Sequence, residues 1–180
     1  MKTKDLVLVS IFAALTAVGA FIKIPIPNVP FTLQFFFCAF AGMLLGSKLG
    51  ALSQIIYVVM GLIGIPVFTE GGGIMYVLKP TFGYLIGFIV GAYVIGYIAE
   101  RIKELTFFKS LGAILTGLFF IYFLGIIHFY LIMNLYLGKA TSLKYVIYWG
   151  GLVFIGGDLI LSVIIAFTSK KILKRLKIMI

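Results

Sequence analysis

"FTLQFFFCAFAGMLLGSKLGALSQIIYVVMGLIGI" runs from Phe31 to Ile65, and whether it crosses a membrane once or twice decides the fold. As one straight helix it would be about 52 Å long, far more than a hydrocarbon core of about 30 Å requires. Gly46-Ser47-Lys48-Leu49-Gly50 interrupts the apolar run near its middle. The stretch therefore predicts a tight hairpin of two short helical pieces.

Outward from this hairpin, Leu6 to Ile22, Thr81 to Ala99, Leu111 to Asn134 and Tyr145 to Ser169 are each apolar over the roughly 17 to 25 residues that a membrane-spanning helix needs. That makes six spans. The chain has 180 residues, of which 63% are hydrophobic and 11% charged. Its mean hydropathy of +1.22 lies far outside the range of water-soluble domains. The composition predicts an all-α integral membrane protein with a single transmembrane domain over residues 1–180. Charge placement tests the count, because Lys and Arg accumulate on the cytoplasmic side. With six spans and a cytoplasmic N-terminus, Lys2, Lys4, Lys48, Arg101, Lys103, Lys109 and the tail Lys170, Lys171, Lys174, Arg175 and Lys177 all fall inside. Only Lys23, Lys79, Lys139 and Lys144 fall outside, whereas a single crossing at 31–65 would erase the bias. Both termini are expected in the cytoplasm. The net charge of +10 then belongs to loops and a basic tail attracted to anionic lipid, not to a nucleic-acid surface. The first twenty residues resemble a signal peptide but continue through Phe21 and Ile22 with no polar cleavage region, so an uncleaved helix is expected. Cys38 stands alone in an apolar run and is read as packing.

Two outer loops look unlike the inner ones. In "IPIPNVPFTLQFFF", Ile24 to Phe37, three prolines forbid helix and impose an extended, stiff path. In "IPVFTEGGGIMYVLKPTFGY", Ile65 to Tyr84, three consecutive glycines precede Lys79 and Pro80. Irregular backbone at membrane depth is tolerated where it is buried in protein or lines a cavity, so the loops at about 23–31 and 66–80 are expected to form a lid. Asp158 is the one carboxylate inside a confident span. Burying it there costs about 2.5 to 3.5 kcal/mol, which marks it as a binding residue or as one half of an internal polar pair. Counting back from Lys170 places it roughly 18 Å from the inner boundary, in the outer part of the bilayer. Candidate partners are Thr32, Gln34, Lys79, Tyr84 and Asn134, all near the outer ends of their helices. Tyr145, Tyr148 and Trp149 read as an interfacial belt and His128 as a packed side chain.

No catalytic or metal constellation can be assembled. "GGGIMYVLKPT" is not a phosphate loop, because Leu78 and Pro80 flank the lysine where Gly and Ser or Thr are needed. Enzyme signatures are missing, so if the protein moves solute uphill its energy comes from elsewhere, and no cofactor or metal is expected. In the first helix, Ala13, Ala17 and Ala20 share one face, which serves either packing within the chain or docking on another membrane protein.

The run "PNVPFTLQFFFCAFAGMLLGSKLGALSQIIYVVMGLIGIPVF", Pro27 to Phe68, resembles the BioY family, the biotin-specific S components of energy-coupling factor (ECF) transporters. "KPTFGYLIGF" from Lys79, "IYFLG" from Ile121 and "GGDLIL" from Gly156 are similar to that family's later motifs in the same order. The resemblance implies the six-helix S-component fold in a prokaryotic plasma membrane, with biotin captured from outside beneath the two loops. It also implies docking through Ala13 and Ala17 on a transmembrane coupling (T) subunit served by two ABC ATPases. Two positions depart from the family pattern Pro-Gly-Asp-x-x-Lys: Gly156 replaces Pro and Leu161 replaces Lys. Lys79, at a position that is usually small, is expected to supply the displaced cation for the ligand carboxylate, with Asp158 receiving the ureido N–H groups. The alternatives are an S component for another small carboxylate such as lipoate, and a structural or assembly membrane protein without ligand.

Overall fold

A computed structural model describes residues 2–26 and 28–178. Pro27 of the proline run and the side chains of the tail residues Lys170, Lys174, Arg175 and Lys177 lie outside the described residues. Among the described residues, five helical stretches are long and apolar enough to cross a membrane: Thr3–Phe21, Gln34–Leu62, Phe82–Arg101, Phe107–Tyr136 and Leu143–Ser169. The protein is a multi-pass membrane protein.

The first stretch, α1 (Thr3–Phe21), opens with the Asp5 carboxylate accepting the Lys2 backbone N–H at 2.9 Å. The second, α2 (Gln34–Leu62), is one run of helix in name only, because Gly46 sits at φ 82° and ψ −175° inside it. That conformation is open to glycine and strained for any side chain. The chain reverses there. The Gln34 amide donates to the Tyr57 hydroxyl at 2.6 Å, although a straight helix would hold these residues about 34 Å apart. Likewise a Cβ built on Gly50 would lie 3.0 Å from the Gly42 Cα. The expected hairpin is present, with limbs 34–45 and 47–62.

At its tip a side chain from the next long helix secures the turn. In α3 (Phe82–Arg101), Glu100 accepts the Ser47 backbone N–H at 2.7 Å and the Ser47 hydroxyl at 2.8 Å, capping the start of the second limb. Three glycines of α3, Gly83, Gly87 and Gly91, recur every fourth residue against α4 (Phe107–Leu131). A Cβ at Gly87 would come within 2.9 Å of the Ile121 backbone. Lipid supplies no hydrophobic drive between helices, so such close approach is what holds the pair.

The helical path of α4 continues as a wider turn over Ile132–Tyr136. After the connection come the short α5 (Leu143–Ile147), a second wide turn at Tyr148–Leu152 and α6 (Val153–Ile178). Consecutive long helices pack on one another from α1 to α4, and α6 closes against α2 and α4. Among the described residues, the five long stretches become six helical segments when the two limbs of α2 are counted separately. Residues 22–33, 63–81 and 132–145 gather at one end, joined by hydrogen bonds from Lys23 to Thr69 and from Asn28 to Tyr145. The hairpin tip and Glu100 lie at the other, where α1 starts and α6 finishes.

The proline run forms a small flap. Strands β1 (Lys23–Ile24) and β2 (Phe31–Thr32) pair antiparallel, Lys23 with Thr32 and Ile24 with Phe31. Pro25 and Pro30 confine the backbone beside the two strands, and Asn28 takes the left-handed conformation at φ 68°. The second loop contains a single turn of 3-10 helix, Ile74–Leu78, leading into α3.

Candidate ligand pocket

Under the flap lies a small, partly open cavity of about 60 Å³. Val29, Pro30, Phe31 and Thr32 of the flap form its roof, and α2, α3, α4, α6 and the second loop supply its walls. Phe31 fixes the roof to α6: its ring lies parallel to Phe154 with centroids 6.5 Å apart, in space that Gly157 leaves open. A Cβ on Gly157 would stand 2.7 Å from the Phe31 ring. Phe35, Tyr84, Phe88 and Tyr122 add aromatic wall.

Two separate polar groups interrupt this apolar lining. The first is Asp158 on α6, the one charged side chain lining the cavity and only 7% exposed. Tyr122 of α4 donates its hydroxyl to the Asp158 Oδ2 in a very short hydrogen bond. Among the described residues no hydrogen bond reaches Oδ1, so that oxygen remains as an acceptor. The second group belongs to the second loop and the start of α3. There the Tyr76 hydroxyl meets Thr69 Oγ1 at 2.9 Å and Thr81 Oγ1 at 3.3 Å.

Between them, Gln34 and Tyr84 are held by their own partners. The Gln34 amide donates to Tyr57, and its oxygen accepts from the Thr32 hydroxyl at 3.0 Å. Tyr57 in turn donates to the Val67 carbonyl at 3.2 Å, which connects the hairpin to the second loop. Tyr84 donates at 2.6 Å to the Gly150 carbonyl inside the wide turn that precedes α6. Its hydroxyl therefore offers the cavity only acceptor lone pairs. Wide turns of this kind are often found at functional sites, and here one positions a carbonyl against a cavity residue.

Of the residues expected from sequence, Thr32, Gln34, Tyr84 and Asp158 converge on the cavity. Lys79 and Asn134 do not line it. The Lys79 ammonium pairs with Glu70 at 2.6 Å, with 39% and 49% of the two side chains exposed, and lies 5.1 Å from the Tyr76 ring centroid. Lys79 thus sits at the rim with Glu70 as its counter-ion. Asn134 folds the end of α4 onto the following loop: its amide donates to the Tyr130 and Thr141 carbonyls, and its oxygen accepts the Thr141 N–H at 2.9 Å. Ala13 also differs from the docking expectation. Only 3% of it is exposed, because the Thr16 face of α1 turns inward to α2, where the Gln54 amide donates to the Thr16 hydroxyl at 3.1 Å. Ala17 is half-buried and Ala14 is exposed. His128 packs against Phe82 and approaches the Lys79 carbonyl at 3.2 Å.

Sequence reasoning did not find Tyr122, Thr69, Tyr76 or Thr81 as site residues. Tyr122 carried a signal, as a hydroxyl in mid-span of a helix otherwise rich in Leu, Ile and Phe.

The sequence profile of the BioY family matches residues 1–178. The chain belongs to the BioY family. Among BioY relatives, the probable biotin transporter BioY of Lysinibacillus sphaericus is 46% identical over 96% of this chain and 88% of its own length. The biotin transporter BioY of Thermotoga maritima is 39% identical over 94% of this chain and 97% of its own. A crystal structure of the S component for biotin from an ECF-type ABC transporter superposes with a TM-score of 0.84 at 28% identity, covering 97% of this chain and 95% of that one. The helix order, the reversal within α2 and the flap over a cavity thus belong to a BioY protein.

Proposed function

We propose that this protein captures biotin as the substrate-binding S component of an ECF-type transporter. The observation that carries the reading is the pairing, under one flap, of a lone buried carboxylate with an aromatic cavity. Biotin is a compact bicyclic ring system with a ureido group and a valerate tail. Asp158 Oδ1 accepts a ureido N–H, with Tyr122 holding the other carboxylate oxygen so that Oδ1 faces the ligand. The phenylalanine and tyrosine walls take the rings. The hydroxyls of Thr69, Tyr76 and Thr81 receive the valerate carboxylate, with Lys79 behind Tyr76 at the rim. Gln34 and Thr32 close the polar contacts beneath the flap.

In this reading the two limbs of α2 cross separately, which gives six crossings with both ends in the cytoplasm and the flap outside. The single domain spans residues 1–180, with lid loops at about 23–31 and 66–80. No chemistry at this site drives uphill movement, so energy comes from two ATPases through a coupling subunit that docks on α1.

Titration of the purified protein with biotin and with lipoate tests the function. Saturable biotin binding, with lipoate much weaker, is the expected result. Lipoate binding without biotin binding would overturn it. Among the described residues no Lys or Arg lines the cavity, and Leu161 stands where the family pattern has lysine, so hydroxyls alone face the carboxylate of either ligand. Lipoate has the same pentanoate tail but no ureido N–H, so it would leave Asp158 Oδ1 without a donor.

A further inference from the structure

The flap is held at its base and at its tip by different neighbours. At the base, Lys23 donates to the Thr69 carbonyl at 2.7 Å, tying it to the second loop. At the tip, the Asn28 amide donates to the Tyr145 hydroxyl at 3.0 Å, tying it to α5 across a sequence separation of 117 residues. Tyr145 is held in turn, because its ring lies against Trp149 with centroids 6.3 Å apart and Ser142 caps its helix. Asn28 is presented by its backbone: at φ 68° the side chain projects from a turn that few residues other than glycine and asparagine adopt. Next to it, Val29 is buried and contributes to the cavity roof. Any motion that lifts Val29 off the cavity must therefore first part Asn28 from Tyr145.

We propose that Asn28 and Tyr145 form the latch of the flap and set how long a ligand stays beneath it. They are positioning residues that touch the flap's closed state and not the ligand. The proposal rests on reading the cavity as a ligand site, and it assigns to Tyr145 a role beyond an interfacial belt. The bond breaks on opening and is absent from the open state, so its loss speeds release and leaves capture from the open state unchanged.

The test uses Asn28→Gly, which keeps the left-handed turn, and Tyr145→Phe, which keeps the ring against Trp149. Two readouts are taken on the full chain in lipid nanodiscs. In ligand-free protein, hydrogen exchange of the 23–32 backbone amides should rise about twofold to tenfold, the range one net hydrogen bond allows, while α3 stays unchanged. With biotin bound, its dissociation rate should rise by a similar factor, and the observed association rate should rise with it, because the ligand-free open population grows as well. The double variant should be no worse than the stronger single variant, because both remove the same bond. Flap exchange indistinguishable from wild type in both variants, or multiplying effects in the double variant, would overturn the latch. Failure of the wild type to bind biotin would instead overturn the ligand assignment, and the exchange measurement would still decide the latch.

Discussion

Removing the carboxylate at position 158 tests the centre of the site. Asp158 has two oxygens, and one is committed to Tyr122. Only Oδ1 is open to the ligand, so Asp158→Ala deletes one hydrogen bond to a charged group, worth about 1.5 to 3 kcal/mol. At about 1.4 kcal/mol per tenfold, the dissociation constant for biotin should rise by about 10-fold to 150-fold. Asp158→Asn keeps the shape and an acceptor oxygen but loses the charge, and charge-assisted bonds are roughly twice as strong as neutral ones. Its penalty should be about half that of alanine in free energy. Tyr122→Phe separates the two roles: it leaves the carboxylate in place but unpositioned, so its loss should be smaller than that of Asp158→Ala. Isothermal titration of detergent-purified protein measures all three, with thermal unfolding run alongside because Asp158 is buried. An Asp158→Ala protein that unfolds normally and binds biotin as tightly as wild type would refute the assignment of Asp158 to the ligand.

At the second polar group, Tyr76→Phe should weaken biotin more than biotin amide. Lys79→Ala, which removes a half-exposed ion pair, should cost no more than about 1 kcal/mol and act equally on acid and amide, as the same titration will show. On α1, Ala13→Leu should overpack the interior and destabilise by about 1 to 3 kcal/mol, read as a lower unfolding temperature. Ala14→Leu and Ala17→Leu should leave folding and ligand binding intact but prevent co-purification with the coupling subunit. At the hairpin tip, Glu100→Ala should cost about 1 to 3 kcal/mol through the loss of both bonds to Ser47. Gly46→Ala should lower thermal stability by a similar amount through backbone strain.

Much of this architecture is legible in the chain because membranes impose simple rules. The length of residues 31–65 against the bilayer, with glycine at 46 and 50, is enough to require a reversal. Asp158 declares itself by its cost in lipid, and the prolines declare a non-helical roof. Side-chain reach is another matter. Lys79 sits at the expected place, but a carboxylate nine residues earlier takes its ammonium, and nothing in the spacing of a glycine-rich loop says whether it folds back to allow this. Asn134 is claimed in the same way by a loop that returns to it. The inward face of α1 is chosen by a hydrogen bond between Thr16 and Gln54, a partner 38 residues away that helical periodicity cannot identify. Tyr122 stands out as a hydroxyl in mid-span, but only the fold shows that its partner is the carboxylate 36 residues later.

The first limb of α2 covers twelve residues, 34–45, and so reaches only about 18 Å, well short of a hydrocarbon core of about 30 Å. Beside it, the flap and second loop carry Ile24, Ile63, Ile74 and Met75 with their side chains exposed. These exposed apolar side chains suit contact with acyl chains and headgroups better than contact with bulk water. Lifting the lid moves apolar surface between those two surroundings, so the bilayer becomes a thermodynamic partner in ligand exchange. The same chain should release its ligand at different rates in short-chain and long-chain lipid with no residue altered.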